Sequence, residues 1–143
     1  MASANTRVDV AVIGAGQAGL SLSAALREHG VEHLVLEKGR IAESWQSQRW
    51  DSFCLVTPNW SVQLAGLPYA GTDPDGFLPR DDLVAYLNDY AARCGDIWTG
   101  VEVTHAAPRD NGWALDTAAG ERLRARHLVM ATGTYQVPKT PAM

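Results

Sequence analysis

Residues 8–37 read VDVAVIGAGQAGLSLSAALREHGVEHLVLE, and their order decides the fold. An apolar run ends at Ile13, and three glycines follow at Gly14, Gly16 and Gly19. A helical pattern then carries Ala18, Leu22, Ala25, Leu26 and His29 on one expected face and stops at Gly30. A second apolar run starts at His33 and closes on Glu37. Strand, tight turn, helix, strand and terminal acid make the fingerprint of a dinucleotide site. Gly14 permits the sharp exit from the strand, Gly16 lets phosphate oxygens approach the backbone, and Gly19 lets the helix lie close to the strand. Unpaired amides and the helix dipole at the helix start suit a pyrophosphate. Glu37 follows Gly19 by 18 residues (37 − 19), near the spacing of about 20 at which an acid bonds a ribose diol. A carboxylate there accepts both hydroxyls and repels a 2′-phosphate, which disfavours NADP at this position. The adjacent Lys38 either weakens that repulsion or is a solvated surface lysine. On this motif alone NAD and FAD both stay open.

Composition narrows the class. A chain of 143 residues with 46% apolar content is one globular domain's worth. A net charge of -4 without a strongly basic stretch argues against nucleic acid and against an anionic membrane surface as partners. The opening residues MASANTRVDV lack the apolar core of a signal peptide. No apolar run approaches the roughly 20 residues of a membrane span. Cys54 and Cys94 have neither metal-type nor CxxC spacing, so packing roles in a reduced, cytosolic setting are expected, with no metal site.

Residues 39–79 do not repeat the opening unit. They carry Trp45, Trp50, Phe53, Trp60, Tyr69 and Phe77 among prolines at 58, 68, 74 and 79. Such an excursion either covers the far end of a large planar cofactor or packs its own aromatics. Residues 80–94 read as a helix with Leu83, Leu87, Tyr90, Ala91 and Cys94 on one face, Asp81 and Asp82 at its start and Gly95 as its stop. From Val101 the period becomes two. Asp110-Asn111-Gly112 is a hairpin turn, Trp113 and Leu115 continue on the next strand, and Ala119-Gly120 turns into residues 121–125. An apolar strand then runs from His127 into Ala131, Thr132 and Gly133.

A βαβ start, a helix, a three-stranded antiparallel meander and an Ala-Thr-Gly strand resemble the FAD domain of the two-dinucleotide-binding flavoproteins, which favours FAD over NAD. Four stretches are similar to the flavin-containing monooxygenase-like enzymes: GAGQAG at 14–19, LEK at 36–38, ESWQSQRWDSFCLVTPN at 43–59 and ATGTYQVPKTP at 131–141. The resemblance covers nearly the whole chain. It implies an α/β, Rossmann-like FAD-binding domain, with residues 1–143 forming the N-terminal part of a larger enzyme. It implies cofactor contacts from Gly14, Gly16, Gln17, Ala18, Gly19, Glu37 and Lys38. By the same resemblance Ser44, Trp45 and Arg49 line the flavin end, and residues 55–59 pass near the isoalloxazine. The backbone at Val103 meets the adenine, and Ala131, Thr132 and Gly133 pass close to the FAD. One departure stands out. Many members carry an Asn two residues before the proline of the flavin loop; here that position is Val56, and Asn59, after Pro58, does not inherit the role.

In this family the Ala-Thr-Gly strand leads into an FxGxxxH segment, a second GxGxxG domain for NADPH, and a final strand against the flavin. None of these is present in the sequence. The expectation is an FAD module that is catalytically incomplete alone, with no assignable catalytic residue. Its sheet edge would be left for a second polypeptide or a homo-oligomer to cover. The activity implied for the family is NADPH-dependent oxygenation of a soft nucleophile or a carbonyl. Alternatives are a degenerate nucleotide-binding remnant and an NAD-dependent dehydrogenase domain, the latter opposed by the meander. A disulfide reductase is opposed by the cysteine spacing.

Overall fold

A computed structural model describes residues 6–134, 137 and 139–141; Tyr135, Gln136 and Pro138 of the closing family-like stretch lie outside them. The chain begins with β1 (Thr6–Ile13), α1 (Gln17–Glu28) and β2 (His33–Glu37). A short helix α2 (Glu43–Ser47), a 3-10 turn (Asn59–Ser61) and the small strands β3 (Gln63–Leu64) and β4 (Leu67–Pro68) follow. Then come α3 (Arg80–Ala91), β5 (Asp96–Thr99), β6 (Val103–Arg109), β7 (Gly112–Thr117) and β8 (Arg122–Met130). The large sheet has the order β5-β2-β1-β8-β7-β6, parallel from β5 to β8 and antiparallel from β8 to β6.

The period-2 alternation of β1 explains the layering. Val10 and Val12 face one side, where Leu20 of α1 and Leu83, Leu87 and Tyr90 of α3 join Val35 in one core. Ala11 faces the other side with Leu34 and Leu36, in a second core shared with Leu115, Leu123 and Ala125 of the meander. Helices cover one face, and between the two cores β2 and the centre of β1 are enclosed.

The helix α1 ends as its sequence suggests. The Val31 amide bonds the Leu26 carbonyl and the Gly30 amide bonds that of Arg27, with Gly30 left-handed at φ +68°, the Schellman arrangement. Its buried face differs from the expected one. Gly19, Leu20 and Ser23 are buried, whereas Ala18, Ala25 and His29 are exposed. Close approach to the sheet selects small residues, and a buried Ser23 is tolerated because its hydroxyl bonds the His33 ring at 2.7 Å and takes the Gly95 amide at 3.1 Å. The face expected for α3 holds, but the helix stops at Ala91 and a turn carries the chain to Cys94. There the Arg27 guanidinium bonds the carbonyls of Ala92 and Cys94.

Two further differences concern strands. Residues 121–125 and 127–130 are expected as separate strands, yet β8 is continuous. Its first half pairs with β7, and its whole length pairs in parallel with β1, from Thr6↔Leu123 to Ile13↔Met130. Beyond Ala125 its other flank has no strand partner among the described residues, and Met130 is 63% exposed there. The strand β5 has no forecast in the periodicity because only four residues lie between Gly95 and Gly100. The hairpin turns on Asp110 and Asn111, with Gly112 already paired in the strand.

Candidate functional site

The parallel strands β2, β1 and β8 end side by side, and a groove of about 620 Å3 opens over their C-terminal ends. This is where open α/β sheets place ligands. Each wall follows from local chemistry. The β1–α1 turn forms the middle. Gly14 has φ +109°, and a Cβ there would lie 2.5 Å from the Ala131 carbonyl oxygen. A Cβ on Gly19 would lie 1.9 Å from the Gly14 oxygen, so helix and turn are in contact that only glycine allows. A Cβ on Gly16 would meet nothing within 4 Å, because it would point into open groove. No side chain caps α1. The amides of Gln17 and Ala18 consequently have no backbone acceptor among the described residues and are free to receive an anion. The Gly14 amide, by contrast, donates to the Leu36 carbonyl at 2.8 Å.

At one end of the groove stands Glu37, buried at 8% exposure. One carboxylate oxygen accepts the Ala15 amide at 2.8 Å and the other accepts the Gly39 amide at 2.8 Å. A carboxylate has about four lone-pair sites, so acceptor capacity remains toward the groove. At the same end lie Lys38, Glu102 and Val103. Toward the other end, Ala42 adopts a left-handed φ of 59° and starts α2, which delivers Ser44, Trp45 and Gln48 to the wall. Ala131, Thr132 and Gly133 continue from β8 beneath the turn. Glu43 also lines the groove; the Arg40 guanidinium and backbone amide hold its carboxyl at about 2, well below the usual carboxylate range.

Gly14, Gly16, Gln17, Ala18, Glu37, Lys38, Ser44, Trp45, Val103, Ala131, Thr132 and Gly133 meet on this one groove. Gly19 sits behind the turn as a packing position. Arg49 does not line the groove; its guanidinium stacks 5.2 Å from the Trp45 ring and 5.7 Å from that of Phe53. Residues 55–59 also lie outside it. Leu55 joins the helix-side core, Val56 is 86% exposed, and Asn59 is buried, donating to the Asp73 carbonyl at 2.8 Å. Glu102, Gln48, Met130 and Thr134 line the groove without having been singled out. Gln48 and Thr134 lie within the stretches quoted at 43–59 and 131–141, and Glu102 directly precedes Val103.

The cysteines form no pair. Cys54 is exposed; Cys94 is buried, burial pushes its thiol up, and its sulfur donates to the Leu20 carbonyl. No described helix is long and apolar enough to cross a membrane.

A family model described as pyridine nucleotide-disulphide oxidoreductase matches residues 11–143. An uncharacterized CzcO-like oxidoreductase of Geobacillus kaustophilus is 36% identical over 136 residues, covering 94% of this chain and 38% of that protein. An indole-3-pyruvate monooxygenase of Oryza sativa subsp. japonica is 34% identical, covering 91% of this chain and 33% of its own length. Among solved structures, the flavin-containing monooxygenase from Stenotrophomonas maltophilia superposes with a TM-score of 0.84 at 28% identity, over 96% of this chain and 42% of that one. The chain thus spans about two fifths or less of the length of these relatives.

Proposed function

This chain belongs to the pyridine nucleotide-disulphide oxidoreductase family, and on that premise we propose that it is the FAD-binding portion of an NADPH-dependent flavin monooxygenase. The observation that carries the reading is the single groove on which a dinucleotide turn, an acid at ribose distance and an aromatic wall converge. The residues fit the cofactor. The Gly16, Gln17 and Ala18 amides would take the pyrophosphate, Glu37 the adenosine ribose, and the backbone at Val103 the adenine. Trp45 and Ser44 would stand against the flavin ring, with Ala131, Thr132 and Gly133 beneath. FAD, when bound, supplies the redox centre that accepts a hydride and passes electrons onward. The chain's own residues orient it: α1 neutralises phosphate charge through its dipole, and Trp45, backed by Phe53, excludes water at the ring end. Glu37 also sets the choice of nucleotide, because a 2′-phosphate would meet its carboxylate.

The relatives hold more than half of their length outside the match, and the hydride-donor site and substrate pocket are assigned to that remainder. The unpaired flank of β8 is the seat for a further polypeptide segment or a second copy. The same reading places the protein in the cytoplasm, where Cys54 and Cys94 remain thiols. Monooxygenase is favoured over disulfide reductase because the two cysteines are separated and one is buried.

The test is spectroscopic. The purified chain is mixed with FAD, freed of excess and scanned in the visible. Retained flavin absorbance supports the reading. A colourless protein that instead binds NADH by fluorescence titration overturns it.

A further inference from the structure

We infer that Glu37 is a positioning residue for the glycine turn as well as a ribose ligand: its carboxylate holds the turn in its anion-accepting shape before any cofactor arrives. This deepens the cofactor reading above and rests on it only for the ligand's identity. The carboxylate is shared between two segments. Ala15 in the middle of the turn donates its amide to one oxygen, and Gly39, beyond β2, donates to the other, both at 2.8 Å. The backbone extends the connection. The Ala42 amide bonds the Ala15 carbonyl at 3.0 Å, and the Val101 amide bonds the Glu37 carbonyl at 2.9 Å. Through one residue the glycine turn, the approach to α2 and the start of the meander are tied together, and all three line the groove.

Two consequences follow. Ala15 is fully buried, and its amide is committed to Glu37, so it is withdrawn from the set offered to a diphosphate. The anion is left to the amides of Gly16, Gln17 and Ala18 at the uncapped start of α1. Ribose contact and turn shape are also coupled, since the same carboxylate serves both. A glutamine can replace only half of it. Its oxygen can still accept one of the two amides, but its NH2 group carries hydrogens and would face the other N–H donor where an oxygen now accepts.

The experiment is site-resolved amide hydrogen exchange on the full chain without cofactor, comparing wild type with Glu37→Gln. In wild type the Ala15 and Gly39 amides are expected to exchange at least about tenfold more slowly than those of Gln17 and Ala18, after correction for intrinsic rates. In Glu37→Gln that protection is expected to fall by about tenfold at whichever of Ala15 and Gly39 meets the new NH2 group, while the other amide and the Val12 and Val35 amides of the strands keep theirs. Unchanged protection at Ala15 and Gly39 in the variant, or equal rates at Ala15 and Gln17 in wild type, overturns the inference. A uniform loss across Val12 and Val35 overturns it too, since Glu37 would then be a general stabiliser. FAD titration of both proteins separates the two readings. If the exchange pattern holds and FAD does not bind, the cofactor assignment fails and the positioning role stands.

Discussion

Residues 8–37 and residues 39–79 are adjacent in sequence and both supply groove wall, yet they are held by different physics. In the first stretch Val10, Val12, Leu20, Val35 and Leu36 are buried at 7% exposure or less. In the second, only Ala42 and Asn59 are buried, while Trp50, Val56, Trp60 and Phe77 are more than half exposed. The first is fixed by apolar burial with a regular period. The second is fixed by individual hydrogen bonds and ring contacts. The Trp60 amide bonds the Pro74 carbonyl, the Leu55 amide that of Leu78, and Arg80 reaches the Asp51 carboxylate. Trp45, Phe53 and Trp50 touch in sequence, with centroid separations of 5.8 and 5.0 Å. A scaffold of the first kind can position a turn to fractions of an ångström. A wall of the second kind can adjust to what it covers.

The largest expected effect breaks the rigid side. Gly19→Ala places a methyl 1.9 Å from the Gly14 oxygen, and that obstacle is backbone, which cannot swing aside as a side chain would. A loss of about 3 kcal/mol in urea unfolding is expected, together with loss of flavin retention. Gly16→Ala is its counterpart, because there the new methyl meets nothing. Stability should then stay within about 0.5 kcal/mol while FAD binding weakens, since the methyl occupies groove space. If both variants unfold alike, the turn is not divided into a packing glycine and a ligand-facing one.

Asn59→Ala tests the other region. Its amide side chain donates to the Asp73 carbonyl at 2.8 Å and its backbone amide to that of Gly76 at 2.9 Å. Removing the side chain is expected to cost about 1–2 kcal/mol. The change should appear as faster limited proteolysis within residues 59–79, with strand amides of β1 and β2 still protected. Equal exposure of β1 would mean that the excursion is part of the core's cooperative unit.

This contrast also decides what was legible in the sequence. The order of the βαβ unit was readable, and β2 to the residue at His33–Glu37, because three glycines, a period and an acid all report one geometry. The face of α3 was readable for the same reason. The buried face of α1 was not, since Ser23 is buried through a bond to His33 rather than through its own character. The continuity of β8 escaped notice because Arg122, Arg124 and Arg126 interrupt the apolar pattern, although alternation already explains them: Leu123 and Ala125 point inward. In residues 39–79 no period exists to read. The resemblance expects Ser44, Trp45 and Arg49 together at the flavin end; Ser44 and Trp45 line the groove, and Arg49 stacks on Trp45 and Phe53 beside it.

That stacking gives a smaller effect. Arg49→Ala removes the cation over Trp45 and should cost about 0.5 kcal/mol or slightly more. The informative readout is Trp45 itself. Its indole should become more mobile, lowering fluorescence anisotropy relative to wild type in a background where the other tryptophans are replaced by phenylalanine. Unchanged anisotropy would show that α2 alone orients the ring.

The smallest effect lies where the two regions join. Arg40 donates from Nε at 2.8 Å, from Nη2 at 3.1 Å and from its backbone amide at 3.0 Å to the Glu43 carboxylate in the first turn of α2. These bonds, the side-chain ones foremost, hold the carboxyl at about 2 against an ordinary 4.5. A depressed folded pKa means that the unfolded chain binds the proton more readily. The contribution to stability is therefore complete above about pH 4.5 and is lost as pH falls from there toward 2. The guanidinium is 65% exposed, so solvent screens the pair and the effect on overall stability should be slight. The titration is the sharper measure. Carboxyl NMR should place the Glu43 midpoint near 2 in wild type, and Arg40→Ala should move it up toward the ordinary value. An ordinary midpoint in wild type would mean that the start of α2 is not anchored by this pair. The Ala42–Ala15 backbone bond and the Glu37 carboxylate shared by Ala15 and Gly39 would then join the aromatic wall to the glycine turn.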